Sequence, residues 1–226
     1  GDNGDVQVGP IPNDPANNQY GSHGRSTIAV GDVSGDAVPD IVYAARDVAN
    51  RSLIVAIDGT GQFLWKSHDL AGNDYPIKIE NAAVTLVNFD DDPQAEIVIG
   101  ATIFDHDGLM VFEAGATGLG ANFGTNNSYY GGISAVARLD GDAIPEVISG
   151  RNAWKVNWVN GANVGDPPTV TLDEYWTADT ADGYPAVADL DGNGTPEVVL
   201  VASGRLHVLN GQTGLAFCAV DETDAM

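Results

Sequence analysis

One nine-residue pattern occurs four times, and it restricts the fold more than any other feature of this chain. It starts at Asp32, Asn88, Arg138 and Asp189 and closes on Asp40, Glu96, Glu146 and Glu197. The four starts are separated by 56, 50 and 51 residues. Each copy sets an acidic loop between two short apolar stretches, as in Pro185-Ala-Val-Ala-Asp189-Leu-Asp-Gly-Asn193-Gly-Thr-Pro-Glu197-Val-Val. A repeat of this period means one supersecondary unit used several times, with each unit too small to bury its apolar face alone.

The flanks of the loops read as strands. They are short, rich in Val and Ile and bounded by Gly, Asp and Pro, and no stretch sustains a 3.6-residue period. A third apolar run follows in each unit, at Leu53–Gly59, Leu109–Gly115, Lys155–Gly161 and Arg205–Gly211. Asp58-Gly59, Asn160-Gly161 and Asn210-Gly211 are expected to supply the positive φ angles of tight hairpin turns. A weaker fourth strand is placed at Gln62–Lys66, Ala121–Phe123, Val170–Trp176 and Leu215–Ala219. Four antiparallel strands in about 50 residues is the size of a propeller blade. The expected architecture is therefore all-β, a β-propeller of four-stranded antiparallel blades with at least four blades in this chain. The blades are placed at about residues 24–79, 80–130, 131–181 and 182–220. A loop-rich N-terminal segment, 1–23, precedes them and a tail, 221–226, follows.

The unit resembles the FG-GAP repeat of integrin alpha-subunit propellers and the related VCBS repeats of bacterial secreted proteins. The resemblance rests on Ile99-Gly-Ala-Thr102, close to the family's Gly-Ala-Pro ending, and on the acidic loops, which match its calcium motif. It covers about residues 24–220. Two departures stand out: the Phe-Gly pair before the first strand is missing, and the family usually closes rings of about seven blades. The resemblance implies an extracellular module for adhesion or ligand recognition.

The loops themselves suit a hard cation. Calcium takes six to eight oxygen ligands. In this pattern positions 1, 3 and 5 offer side-chain oxygens, position 7 a backbone carbonyl and position 9 a carboxylate. Asp189, Asp191, Asn193, the carbonyl of Thr195 and Glu197 fill the template. Asp32, Ser34, Asp36, the carbonyl of Val38 and Asp40 fill it with one weaker oxygen, and Asn88, Asp90, Asp92, the carbonyl of Gln94 and Glu96 are complete in donor type. About three Ca2+ sites are expected on that basis. In the remaining loop Arg138 stands at position 1, where a cation needs an oxygen. Its guanidinium is expected to pair with Asp140, Asp142 or Glu146, leaving that loop without calcium. An EF-hand fails at its twelfth position, where Leu200 replaces the bidentate Glu. Solvated acidic turns are the plain alternative, since Asp, Asn and Gly favour turns anyway. Against them, 13 of the 32 acidic residues fall in these four loops in one register, where they repel each other unless a cation is present.

Charge narrows the partners. Thirty-two Asp plus Glu against nine Lys plus Arg gives a net charge of −23, which excludes the basic surface that nucleic acid requires. It also disfavours an anionic membrane surface, and no apolar run is long enough to span a bilayer. The lone Cys218 excludes an internal disulfide and a Cys-rich zinc site. The opening Gly1-Asp-Asn-Gly-Asp5 has neither an initiator Met nor a signal peptide, so a processed or excised product is expected.

Three functional readings follow. The first is a secreted or cell-surface calcium-binding propeller that acts as a binding, adhesion or structural module, with structural calcium. A face would meet a protein or glycan ligand, or another copy of the chain. Trp65, Trp154, Trp158, Trp176, Tyr129 and Tyr130 are candidates for stacking on sugar rings, although aromatics at this spacing more often fill cores. The second is the propeller part of a secreted polysaccharide-active enzyme, a lyase or glycosidase. No Gly-x-Ser-x-Gly, His-Glu-x-x-His or phosphate loop is present, and His23, His68, His106 and His207 are scattered, so no catalytic residue is assigned. The third is a subunit of an extracellular assembly. The sequons at Asn50, Asn126 and Asn193 are weak signals, and the last lies inside an acidic loop, where modification is not expected.

Overall fold

The computed structural model describes residues 9–12, 14–22, 26–46, 52–77, 83–90, 92–113, 132–163 and 165–217. Within them the chain is all-β, with one short 3₁₀ turn at Pro15–Asn17 and no α-helix. Among the described residues no helix is long and apolar enough to cross a membrane. The strands form four antiparallel sheets in chain order. The first holds β1 (Ile28–Gly31), β2 (Asp40–Arg46), β3 (Ser52–Ile57) and β4 (Phe63–Lys66). The second holds β5 (Thr85–Val87), β6 (Glu96–Ile99), β7 (Thr102–Phe104) and β8 (Met110–Phe112). The third holds β9 (Ser134–Ala137), β10 (Glu146–Ser149), β11 (Asn152–Val159) and β12 (Thr169–Thr177). The fourth has three strands, β13 (Gly183–Ala188), β14 (Glu197–Ala202) and β15 (Arg205–Asn210).

The two-residue period of the second strands shows how the sheets stack. Val42 and Ala44 on β2 pack with Ile97 and Ile99 on β6. The other face of β6, through Val98, meets Val147 on β10. The opposite face of β10, through Ile148, meets Val198 and Leu200 on β14. Strands β2, β6 and β10 are thus apolar on both faces because both are covered, and the first strands β1, β5, β9 and β13 lie side by side. Position 2 of the acidic loops joins the same interfaces: Val33, Phe89 and Leu139 are buried between successive sheets. Truncating Leu139 to Ala would cost about 2–5 kcal/mol.

The stack does not close into a ring. The outer face of the first sheet is covered in part by Ile11 and Tyr20, with Tyr43 donating its hydroxyl to the Tyr20 carbonyl at 2.7 Å, while Ile28 and Val30 of β1 stay 61% and 62% exposed. The outer face of the fourth sheet leaves Leu190, Val201 and Leu206 at 53%, 49% and 65% exposure.

Four expectations are corrected. In the second unit the third strand is Thr102–Phe104, directly after the Gly100-Ala101 turn, and the run at Leu109 supplies the fourth strand. Three-residue strands are too short to show a period, so the longer run drew the assignment. The positive φ angles fall later in the turns than Asp-Gly and Asn-Gly suggest, on Gly61, Gly108 and Gly214. Connection β11–β12 is no tight hairpin, because it runs from residue 160 to 168. In the fourth unit the described part of the stretch placed at Leu215–Ala219, residues 215–217, makes an isolated bridge, Leu209 to Ala216, in place of a strand. The proposed strand at Ala121–Phe123, His23, Tyr129, Tyr130, Cys218 and the sequon asparagines Asn50 and Asn126 lie outside the described residues.

The four tryptophans belong to contacts between sheets. Trp154 packs on Ala101, and Trp158 stacks on Phe89 at 5.9 Å. Trp65 and Trp176 each lie against a turn glycine of the following sheet, where a Cβ on Gly108 or Gly214 would approach the ring to 2.6 Å.

Candidate metal centre

All four acidic loops share one hydrogen-bond frame. The closing carboxylate at position 9 is buried in every copy, with Asp40, Glu96, Glu146 and Glu197 at most 1% exposed. In each it accepts the N–H of position 2: Val33 at 3.0 Å, Phe89 at 2.6 Å, Leu139 at 2.6 Å and Leu190 at 2.9 Å. The side chain at position 5 accepts the N–H of position 7, from Val38 to Asp36, Gln94 to Asp92, Ile144 to Asp142 and Thr195 to Asn193. These are Asx turns, and they hold the loop in register with the strands it joins.

Within that frame three loops gather carboxylates. Oxygens of Asp90, Asp92 and Glu96 lie within 4.8 Å of one another, as do those of Asp140, Asp142 and Glu146 and those of Asp189, Asp191 and Glu197. Positions 3 and 9 recur in every cluster. The first loop has Ser34 at position 3, and Asp32, Asp36 and Asp40 do not cluster in this way. Instead Asp32 accepts the N–H groups of Gly35 at 2.6 Å and Ala37 at 2.8 Å, and Ala37 takes a left-handed φ of 66°. Desolvation raises the Asp32 pKa, but these N–H groups outweigh it and hold the carboxyl below its usual value.

The donor set passes a test of fit in two loops. Glu96 and Glu197 each use Oε2 for the position-2 N–H, while Oε1 is buried without a hydrogen-bond partner. A buried, unpartnered carboxylate oxygen is costly, and a cation beside it removes that cost. The other positions of the two loops show what else is present. Asp189 accepts Gly192 and Gly194, and Asp191 accepts both the N–H and the side-chain amide of Asn193. Asn88 directs its amide to the carbonyls of Asp92 and Gln94. Burial pushes the Glu96 carboxyl up to about 8, and Asp90, Asp92 and Asp105 add repulsion.

The third loop differs from expectation. Arg138 is exposed and makes no ion pair with Asp140, Asp142 or Glu146. The cation is Lys155 of β11, whose Nζ reaches Asp140 Oδ2 and also sits 4.8 Å from the Tyr175 ring centre. Strands β10 and β11 form a hairpin, so Lys155 projects back toward the loop that precedes β10. Arg138 sits one residue beyond β9, and its position in the loop did not bring its charge to the carboxylates. Lys155 lowers the Asp140 pKa, while burial raises that of Glu146.

The second loop has neighbours that its own sequence does not reveal. The β7–β8 turn, Asp105-His-Asp-Gly108, lies beside it. Oxygens of Glu96 and Asp105 and a ring nitrogen of His106 are within 4.8 Å of one another. His106 Nδ1 is 3.0 Å from Asp105 Oδ1, and this hydrogen bond lifts the His106 pKa to about 9. Asp90, Asp92, Asp105 and His106 line a cleft of about 990 Å³ together with His68 and residues of the β11–β12 connection. One signal for this group was available. The residue after the first Asp or Asn of the turn is Gly59, Gly161 and Gly211 in the other units and His106 here.

No protein-family model and no curated protein matches the sequence. Solved structures do share the fold. The exotype rhamnogalacturonan lyase YesX aligns with a TM-score of 0.52 and 16% identity over 84% of this chain. The Bacillus licheniformis rhamnogalacturonan lyase PL11 aligns with a TM-score of 0.52 and 18% identity over 84%. Rhamnogalacturonan lyase YesW aligns at 0.50 and 17% over 92%. This chain spans 40%, 41% and 44% of those three chains.

Proposed function

We propose that this chain is an extracellular, calcium-stabilised β-propeller module of the FG-GAP/VCBS type that serves binding, adhesion or structure. The observation that carries the calcium reading is the pair of buried, unpartnered oxygens, Glu96 Oε1 and Glu197 Oε1, each in a carboxylate cluster of the same register. Asp189, Asp191, Asn193, the carbonyl of Thr195 and Glu197 would hold one ion, and Asn88, Asp90, Asp92, the carbonyl of Gln94 and Glu96 the equivalent loop. When bound, the ion supplies positive charge that offsets carboxylate repulsion and ties positions 1 to 9 together. The propeller reading is supported by the face-to-face succession of sheets with their first strands side by side. The exposed apolar face of the fourth sheet fits a further blade or a second copy.

Metal analysis of the chain after dialysis against calcium, with and without prior chelation, tests the reading. Bound calcium and a melting temperature that falls on chelation are expected. A chain that retains no calcium and melts identically in both states would overturn it.

A second reading, a polysaccharide-active enzyme, draws on the acidic cleft with its two histidines. Assay against acidic polysaccharides, rhamnogalacturonan first, separates the two. Calcium-dependent release of unsaturated products favours the enzyme.

A further inference from the structure

The turn between the third and fourth strands abuts the acidic loop in more than one sheet. Built on Gly59, a Cβ would come to 3.5 Å from the Pro39 carbonyl, and on Gly211 it would collide with the Pro196 carbonyl. Both prolines are position 8 of their loops. A side chain at this point of the turn is therefore directed at the loop, and two of the sheets leave it out. The second sheet places His106 there.

Three further features make this more than an acidic patch. Glu96 is fully buried, and its Oε1 has no hydrogen-bond partner. A Glu96 oxygen lies within 4.8 Å of an Asp105 oxygen and a His106 nitrogen, so the unpartnered carboxylate belongs to a mixed oxygen and nitrogen group. The group opens on the cleft of about 990 Å³, which gives an ion a path from solvent. Calcium prefers oxygen ligands alone, whereas zinc and its first-row neighbours accept imidazole and carboxylate together.

We infer that Glu96, Asp105 and His106 form a site for a divalent first-row transition ion, zinc being the representative, at the junction of the second acidic loop and the β7–β8 turn. The site is separate in kind from the all-oxygen loop at Asp189–Glu197. Glu96 is the shared residue: its Oε2 stays on the Phe89 N–H at 2.6 Å while its other oxygen serves the ion. Asp107, beyond His106, accepts the Leu109 N–H at 2.9 Å and so braces the turn from outside the ligand set.

The test uses the full chain in millimolar calcium, which saturates the Asp189–Glu197 loop; at Glu96, which the second loop also offers to calcium, zinc has to displace that weakly held ion. Calorimetric titration with zinc should show one equivalent bound. Cobalt in place of zinc should give visible bands characteristic of mixed nitrogen and oxygen ligation. His106→Gln should weaken zinc binding at least tenfold, the size seen when even supporting groups of a metal site are lost. Asp191→Ala should leave zinc binding unchanged. The histidine ¹⁵N resonances of the parent supply a readout that needs no variant: one imidazole should shift on zinc addition. No zinc bound under calcium, or zinc binding that is indifferent to His106→Gln with no imidazole shift, would overturn the assignment. Failure of the calcium reading is separable, since it would appear as absent calcium with the cobalt spectrum intact.

Discussion

The third and fourth acidic loops share a backbone and differ in charge. Glu146 and Glu197 are equally buried and accept the same position-2 N–H, and Asp142 and Asn193 make the same Asx turn. Yet the third loop carries the Lys155 ammonium on Asp140, while no described ion pair reaches Asp189, Asp191 or Glu197. Glu197 keeps a buried, unpartnered Oε1, and Glu146 has no such oxygen. The frame and its counter-charge are therefore independent. The frame comes from local N–H groups and is the same everywhere, while the positive charge can come from a neighbouring strand or from a bound ion.

The largest expected effect breaks the comparison at the ion. At ten times its dissociation constant each calcium site adds about 1.4 kcal/mol. Loss of two such sites should lower the melting temperature of a chain this size by roughly 5–10 °C. Thermal unfolding in calcium and in EDTA measures it, and coincident curves would refute the ion-dependent half of the comparison.

Next in size are the closing glutamates. Glu197→Ala and Glu146→Ala each leave a position-2 N–H unpaired, at a cost of about 1–3 kcal/mol in chelator. Only Glu197→Ala should also shed one bound calcium. Equal calcium loss from both variants would mean that the third loop binds metal despite Lys155.

Lys155→Met addresses the same point from the other side. Without its ammonium the third cluster resembles the fourth, so the variant should become more sensitive to EDTA than the parent and bind one additional calcium. An unchanged metal count would show that Lys155 is not what keeps an ion out. The smallest effect is expected from Arg138→Ala, within about 0.5 kcal/mol as for other exposed surface positions. A larger loss would return the counter-charge role to Arg138.

Much of this was legible beforehand because it is local. The acidic register, the strands on either side and the buried carboxylate at position 9 all follow from loop chemistry within nine residues. The second sheet was misread at Thr102–Phe104, where a three-residue strand follows a two-residue turn and shows no period. That error placed Asp105 and His106 outside any turn and left the histidine as one of four scattered imidazoles. Aligning Asp105-His-Asp-Gly108 with Asp58-Gly-Thr-Gly61 would have found it, since Gly61 and Gly108 take the same left-handed φ. Arg138 shows the same limit: nearness along the chain does not give nearness in space.

By itself the sequence determined that the chain is all-β, that one unit recurs four times and that each unit presents carboxylates in one register, because these depend on hydrogen bonds between residues a few positions apart. Only the tertiary structure decided which charge meets those carboxylates. Lys155 reaches Asp140 across 15 residues through the β10–β11 hairpin, and Asp105 and His106 reach Glu96 from a turn beyond β7. Electrostatic partners act through space, and strand pairing brings together side chains that the order of residues keeps apart.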